Sequence, residues 1–291
     1  MGKNFITGSF YTGEKITDFR TNTKWANVIR TRWTAFQEAT RWFYAHSGFV
    51  PMFPIIPIGK VRYTTSTFYP DPNVESTSVD GYAGRDSVDE TWATIRAGAG
   101  NSASDTDTAD YLQVTSAATE NQWRDLYRTF YLFDTSAIGA SSTVSAATLS
   151  LYGSSKIDVF SQSVCIVSTT PASNTAIVAG DYGNTSNTEQ TNTRITIASF
   201  STSAYNDFAF NATGLTNISK TSISKFGGKL SGDVDNSAPT WSVSAAGRAR
   251  IINADTTGTT TDPKLVVTHA AAAGSVSPSG GVGNSSSFII I

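Results

Sequence analysis

From Lys60 to His269 apolar and polar residues alternate with a period of two, whereas before Lys60 the apolar positions recur every three or four residues. The alternating runs are "VRYTTSTFY", "TWATIRA", "DYLQVTS", "LYRTFYLFD", "AATLSLYG", "QSVCIVSTT", "TRITIASF", "DFAFNAT" and "PKLVVTHA", separated by Gly, Asn, Asp, Ser and Pro. That pattern predicts about nine β-strands. Between them, Leu215, Ile218 and Ser222 in "TGLTNISKTSIS" (213–224) are spaced like a short helix. In residues 24–46, Trp25, Val28, Ile29, Trp33, Phe36, Ala39 and Phe43 share one helical face, with Arg30, Gln37, Glu38 and Arg41 largely opposite. Asn22 or Thr23 is placed to cap this helix and Ser47-Gly48 to stop it. Pro51, Pro54 and Pro57 then forbid helix, which leaves Phe49, Met52, Phe53, Ile55, Ile56 and Ile58 on an extended run. Beyond His269 the chain turns to Ala, Gly and Ser and closes on Phe288, Ile289, Ile290 and Ile291.

The predicted fold is therefore all-β, a jelly-roll-type antiparallel β-sandwich with an N-terminal amphipathic helix and extended arm. Three parts are expected: an attachment arm over 1–62, the sandwich over 63–270 and an Ala/Gly/Ser-rich tail over 271–291. Hydrophobic residues at 39% suffice for a packed core, and charged residues at only 15% leave a surface dominated by Ser and Thr. The net charge of −2 hides an asymmetry. Up to Arg62 nine basic residues face three acidic ones, a net of +6, and the remainder carries −8. A basic arm on an acidic body calls for a partner. Because its charges alternate with large apolar side chains, an acidic protein surface suits it better than nucleic acid. No apolar leader is expected in "MGKNFITGSFYTGEKITDF", and no run is long enough to span a membrane.

Candidate chemistry is sparse. Cys165, the sole cysteine, is expected as a buried strand thiol. His46 and His269 lack metal or triad spacing, so neither zinc nor Ser-His catalysis is expected. Asp80, Asp86, Asp89, Asp105, Asp107 and Asp110 fall in turn-like stretches, where Asp caps and turns. "SASDTDTADY" and "GDVDNSAP" carry alternating acids that could take Ca²⁺, yet neither completes a calcium loop with its Gly and terminal Glu. Solvated turns are the expected reading, with no cofactor. Trp92, Trp123 and Trp241 are candidates for stacking on sugar rings, against the simpler expectation that a sandwich packs its tryptophans inward.

Three stretches resemble the DNRLRE-type, disaggregatase-related domains, jelly-roll sandwiches related to carbohydrate-binding modules. They are "RTFYLFDTSAIGASSTVSAATLSLYG" (128–153), "DFAFNATGLTNISK" (207–220) and "APTWSVSAAGRARIINADTTGTTTDPKLVVTH" (238–269). The resemblance implies a sandwich over roughly 65–270, and loosely a role in sugar binding, surface attachment or virion structure.

The arm and tail lie outside that pattern, and the whole is similar to accessory virion proteins of tailed phages. The expected function is a non-enzymatic structural protein of a virus particle, exposed to the extracellular medium as a decoration, collar or fibre-base component. The alternative is a host-glycan-binding adhesin or carbohydrate-binding module. Its expected partners are other virion proteins (capsid, collar or tail), further copies of itself and surface glycans. Trp25, Ile29, Trp33, Phe36, Phe49, Phe53 and Ile55 of the arm, with Phe288, Ile289 and Ile290 of the tail, are the candidate partner-binding residues. They pack either on the chain's own β-body or on a neighbour.

Overall fold

A computed structural model describes residues 62–270. The arm helix over 24–46, the proline-rich run, His46, Trp25 to Ile55 and Phe288 to Ile290 all lie outside the described residues. The described part is mostly antiparallel β-sheet, with fourteen strands in place of the nine predicted. In chain order these are β1 (Tyr63–Phe68), β2 (Asp80–Arg85), β3 (Glu90–Thr91), β4 (Ser102–Ser104), β5 (Ala109–Ser116), β6 (Gln122–Asp134), β7 (Thr143–Asp158) and β8 (Ser163–Thr169). They continue with β9 (Thr185–Glu189), β10 (Ile195–Thr196), β11 (Tyr205–Ala209), β12 (Ile223–Leu230), β13 (Ala246–Ile252) and β14 (Lys264–Ala270). Three short helices interrupt them: α1 (Trp92–Ala97), α2 (Ala212–Thr216) and α3 (Ser231–Val234).

Strand order runs β1-β14-β7-β13-β5-β6-β12-β8-β10, with β11 also on β7, β2 also on β6 and β9 on β8. Long β7 belongs to two neighbourhoods. Its first part pairs with β14 and β11, and its last part, from Gly153, pairs with β13. A Cβ on Gly153 would lie 2.4 Å from the Ser201 carbonyl oxygen, so only glycine lets the strand pass there. The two halves of the sheet face each other, and the core fills the space between in a β-sandwich-like arrangement. Leu149, Leu151, Phe208, Leu265 and Val267 meet Leu112, Val114, Leu126, Phe130, Leu132 and Phe226 there, all fully buried. Burial of a side chain of this size stabilises by roughly 1.5–3 kcal/mol, so the alternation in these strands is what drives the halves together.

Two local readings are corrected. "TWATIRA", predicted as a strand, forms α1: Trp92 and Ile95, three apart, are its buried residues, and Thr91 Oγ1 accepts from the Thr94 N–H at its start. The stretch "DGYAGR" reads as turn by composition yet forms β2, because Gly81 and Gly84 sit where neighbouring groups leave no room for a Cβ. The helix predicted in 213–224 is shorter and earlier: α2 ends at Thr216, and Ile223 already begins β12.

Candidate functional site

On β5 and β13 the alternation separates core from surface cleanly. Leu112 and Val114, like Ala249 and Ile251, turn inward, while Tyr111, Gln113, Thr115, Arg248 and Arg250 turn outward. Register aligns the outward set. Tyr111 lies opposite Arg250, Gln113 opposite Arg248, and Gln113 also opposite Tyr127 of β6. The Arg250 guanidinium sits 4.7 Å from the Tyr111 ring centre, within cation–π range. Tyr82 completes the cluster, edge-on to both Tyr111 (5.5 Å) and Tyr127 (5.4 Å). Gly84 makes room for it, since a Cβ there would lie 2.3 Å from Tyr127 Cδ1.

This face, with Tyr111, Tyr127, Arg248 and Arg250 part-exposed and Tyr82 buried behind them, has polar capacity left over. Tyr82 donates its hydroxyl to Asp107 Oδ2 at 2.8 Å, and Gln113 Nε2 donates to Thr115 Oγ1 at 3.1 Å. Gln113 Oε1, Arg248 Nε and Arg250 Nε are shielded from solvent and have no partner among the described residues. Groups that are dry and unpaired are costly unless something completes them.

Beside the face lies a cleft of about 390 Å³, lined by Asp86, Asp89, Thr115, Ser116, Arg124 and Asp125 among others. Burial pushes the Asp125 carboxyl up, and Asp86, within hydrogen-bonding reach, pushes it further, against the Ser87 N–H that donates to Asp125 Oδ1 at 2.9 Å.

The sequence candidates are placed as follows. Trp92 and Trp123 are buried edge to face 5.1 Å apart, with Phe160 on the far side of Trp123. At 1% exposure Trp123 offers no ring face to a ligand. Trp241 is half-buried and packs against the core. The tyrosine face was missed because each alternating strand shows its own outward side but not which strand lies next to it. Cys165 is buried, and burial pushes its thiol up to about 12. His269 Nε2 lies 2.9 Å from Ser66 Oγ, but its Nδ1 has no partner among the described residues, so no third member orients the ring. Asp233 and Asp235 of "GDVDNSAP" are taken up by arginines: Asp233 by Arg96 and Arg128, Asp235 by Arg194. Asp80 and Asp110, expected in solvated turns, are instead strand residues and fully buried. Among the described residues no three His, Cys, Asp or Glu side chains already close on one point as metal ligands, and no helix is long and apolar enough to cross a membrane. No family model matches the chain, and no curated protein matches it.

Proposed function

We propose that the chain is a non-enzymatic display protein whose β-body, of jelly-roll type, binds an acidic glycan across the Tyr111–Tyr127 face, which the buried Tyr82 backs. The observation that carries this reading is the pairing of tyrosine rings with arginines whose Nε–H groups are dry and unpartnered. Tyrosine presents an apolar ring and a polar edge, as a sugar requires. Arginine adds a planar fork matched to carboxylate or sulfate. The incomplete Ser66–His269 pair favours binding over hydrolysis. The setting we infer is the surface of a virus particle, with the arm over 1–62 docking on capsid, collar or tail. Its support is the contrast between a basic, tryptophan-rich arm and an acidic β-body, together with the resemblance to the DNRLRE-type domains.

Full-length chain applied to arrays of bacterial capsular and cell-wall polysaccharides should retain uronate- or sulfate-bearing chains and release no reducing ends. Tyr111→Ala and Arg250→Ala should each weaken retention at least about tenfold while the melting temperature stays close to that of the wild type. Retention unchanged in both variants would overturn the assignment of this face. For the setting, mass spectrometry of purified particles should find the chain in fixed copy number, and Trp25→Ala with Trp33→Ala should strip it from them.

A further inference from the structure

Next to the tyrosine face, the start of β2, the start of β5 and the β13–β14 loop carry acidic groups with no cation to meet them. Asp80 and Asp110 are fully buried, as is Asn253, and Asp262 is nearly so. Asp80 lies opposite Tyr131 on the neighbouring strand, and Asp110 opposite Ile251, two residues before Asn253. Asn253 Nδ2 donates to Asp110 Oδ1 at 3.3 Å, and the Ala254 N–H donates to Asp80 Oδ2 at 3.0 Å. Asp255 Oδ1 accepts from the Asn73 N–H at 2.6 Å, which brings the β1–β2 loop to the same place. The ion pairs among the described residues engage none of these carboxylates.

A second observation is independent of the charge count. Asp110 Oδ2, Asn253 Oδ1, Asp255 Oδ2 and Asp262 Oδ1 are each shielded from water and lack a hydrogen-bond donor, and the buried Tyr131 hydroxyl beside Asp110 is unpartnered too. These four oxygens are acceptors only in the ionised acids and the amide. A proton shared between two carboxyls would serve one contact and leave the others open. Something with charge and several coordination positions fits better.

We propose that this pocket is a calcium site, in which Asp80, Asp110, Asn253, Asp255 and Asp262 close around one Ca²⁺ and tie the β13–β14 loop to the starts of β2 and β5. The donor set is all oxygen, a mixture of carboxylate and amide, with no sulfur or imidazole, which selects a hard cation over zinc. Several protein oxygens in a dry, irregular pocket suit the six to eight flexible ligands of Ca²⁺ better than the strict octahedron of Mg²⁺, which keeps its waters. The site adjoins the glycan face through Asp107, which accepts from the Tyr82 hydroxyl and, by its backbone carbonyl, from Asn253 Nδ2, but its proposal does not depend on that reading.

The experiment uses the full chain, stripped with EDTA and dialysed, titrated with CaCl₂ by isothermal calorimetry and melted with and without the ion. We expect one Ca²⁺ per chain and a melting temperature raised by about 5 °C or more at saturation, with MgCl₂ giving a smaller shift. Asp255→Asn, at the part-exposed edge of the pocket, should fold normally and lose at least about tenfold in Ca²⁺ affinity. Glu120→Gln, on an exposed turn elsewhere, should bind like the wild type. Absence of binding heat together with a melt indifferent to Ca²⁺ and EDTA would overturn the site. Equal affinity in wild type and Asp255→Asn would overturn this ligand set.

Discussion

Two buried charge clusters lie in the same β-body, and they are built on opposite terms. In the first, Asp233 accepts from Arg128 Nε at 2.7 Å, Arg128 Nη2 at 3.0 Å and Arg96 Nε at 3.0 Å, with Lys229 Nζ at 3.4 Å. Arg128 in turn donates to the Tyr182 carbonyl at 2.6 Å and lies 4.0 Å from the centre of that ring. Burial alone would push the Asp233 carboxyl up, but the three cations around it more than offset this and hold it below the usual range. In the second cluster burial pushes Asp80 and Asp110 up, and neighbouring carboxylates push them further. One cluster carries its counter-ions in the sequence; the other leaves oxygens open. A buried charge that is fully met holds the fold together, whereas one left unmet weighs against it until a partner arrives.

Breaking the first cluster should cost most. Asp233→Ala leaves Arg128 buried without its partner, and about 3–5 kcal/mol of stability should be lost in urea unfolding. Next comes a pH effect. Burial lowers the Lys229 ammonium to about 8, against the attraction of Asp233. A base whose folded pKa is depressed stabilises above its unfolded value, near 10.5, and loses that contribution as pH falls through the folded value. Relative to Lys229→Met, the wild type should therefore gain stability from pH 8 to pH 10, by roughly 2 kcal/mol in paired melts. Arg128, Arg96, Asp233 and Cys165, which lies opposite Lys229 on β8, are present in both proteins, so their own responses largely cancel.

The sharpest contrast comes from neutralising the second cluster. In EDTA, Asp110→Asn should melt at or above the wild type, with a gain of up to about 1 kcal/mol. With Ca²⁺ present the order should reverse. A loss in both conditions would make Asp110 a structural partner like Asp233 and erase the distinction. The smallest effect is expected at Thr91→Ala, which removes the cap of the helix that carries Arg96 to Asp233. It should lower stability by about 0.5 kcal/mol, read from the urea midpoint.

Much of the fold follows from side-chain period. β5, β6 and β14 stand where the apolar runs put strands, since an inward face of Leu, Val, Phe and Ile leaves one register that buries it, whereas β13 falls outside the nine predicted runs. What periodicity misses is short or crowded. α1 is too brief for its Trp92 and Ile95 spacing to outweigh an alternating reading, and β2 is disguised by glycines that close packing demands. The clusters were hidden for a different reason. Asp233 meets Arg128 across 105 residues and Asp110 meets Asn253 across 143, and nothing local in either segment announces the other. The large apolar area of Trp92 and Trp123 draws them into the core, while Tyr111 and Tyr127 stay part-exposed.

The pairing of β1 with β14 sets Tyr63 directly opposite Ala270. The chain therefore enters and leaves the body at one point, with backbones about 5 Å apart. On a body held through both ends, that point would be a single pivot. Drag on it pulls the two ends away from each other and peels the edge ladder rung by rung, whereas strands loaded in shear would resist with all their rungs together. The first part to yield under load should be that hem, while the tyrosine face and the acidic pocket stay intact on the folded remainder. The same geometry makes the body portable: it can be spliced into a surface loop of an unrelated protein without stretching its host.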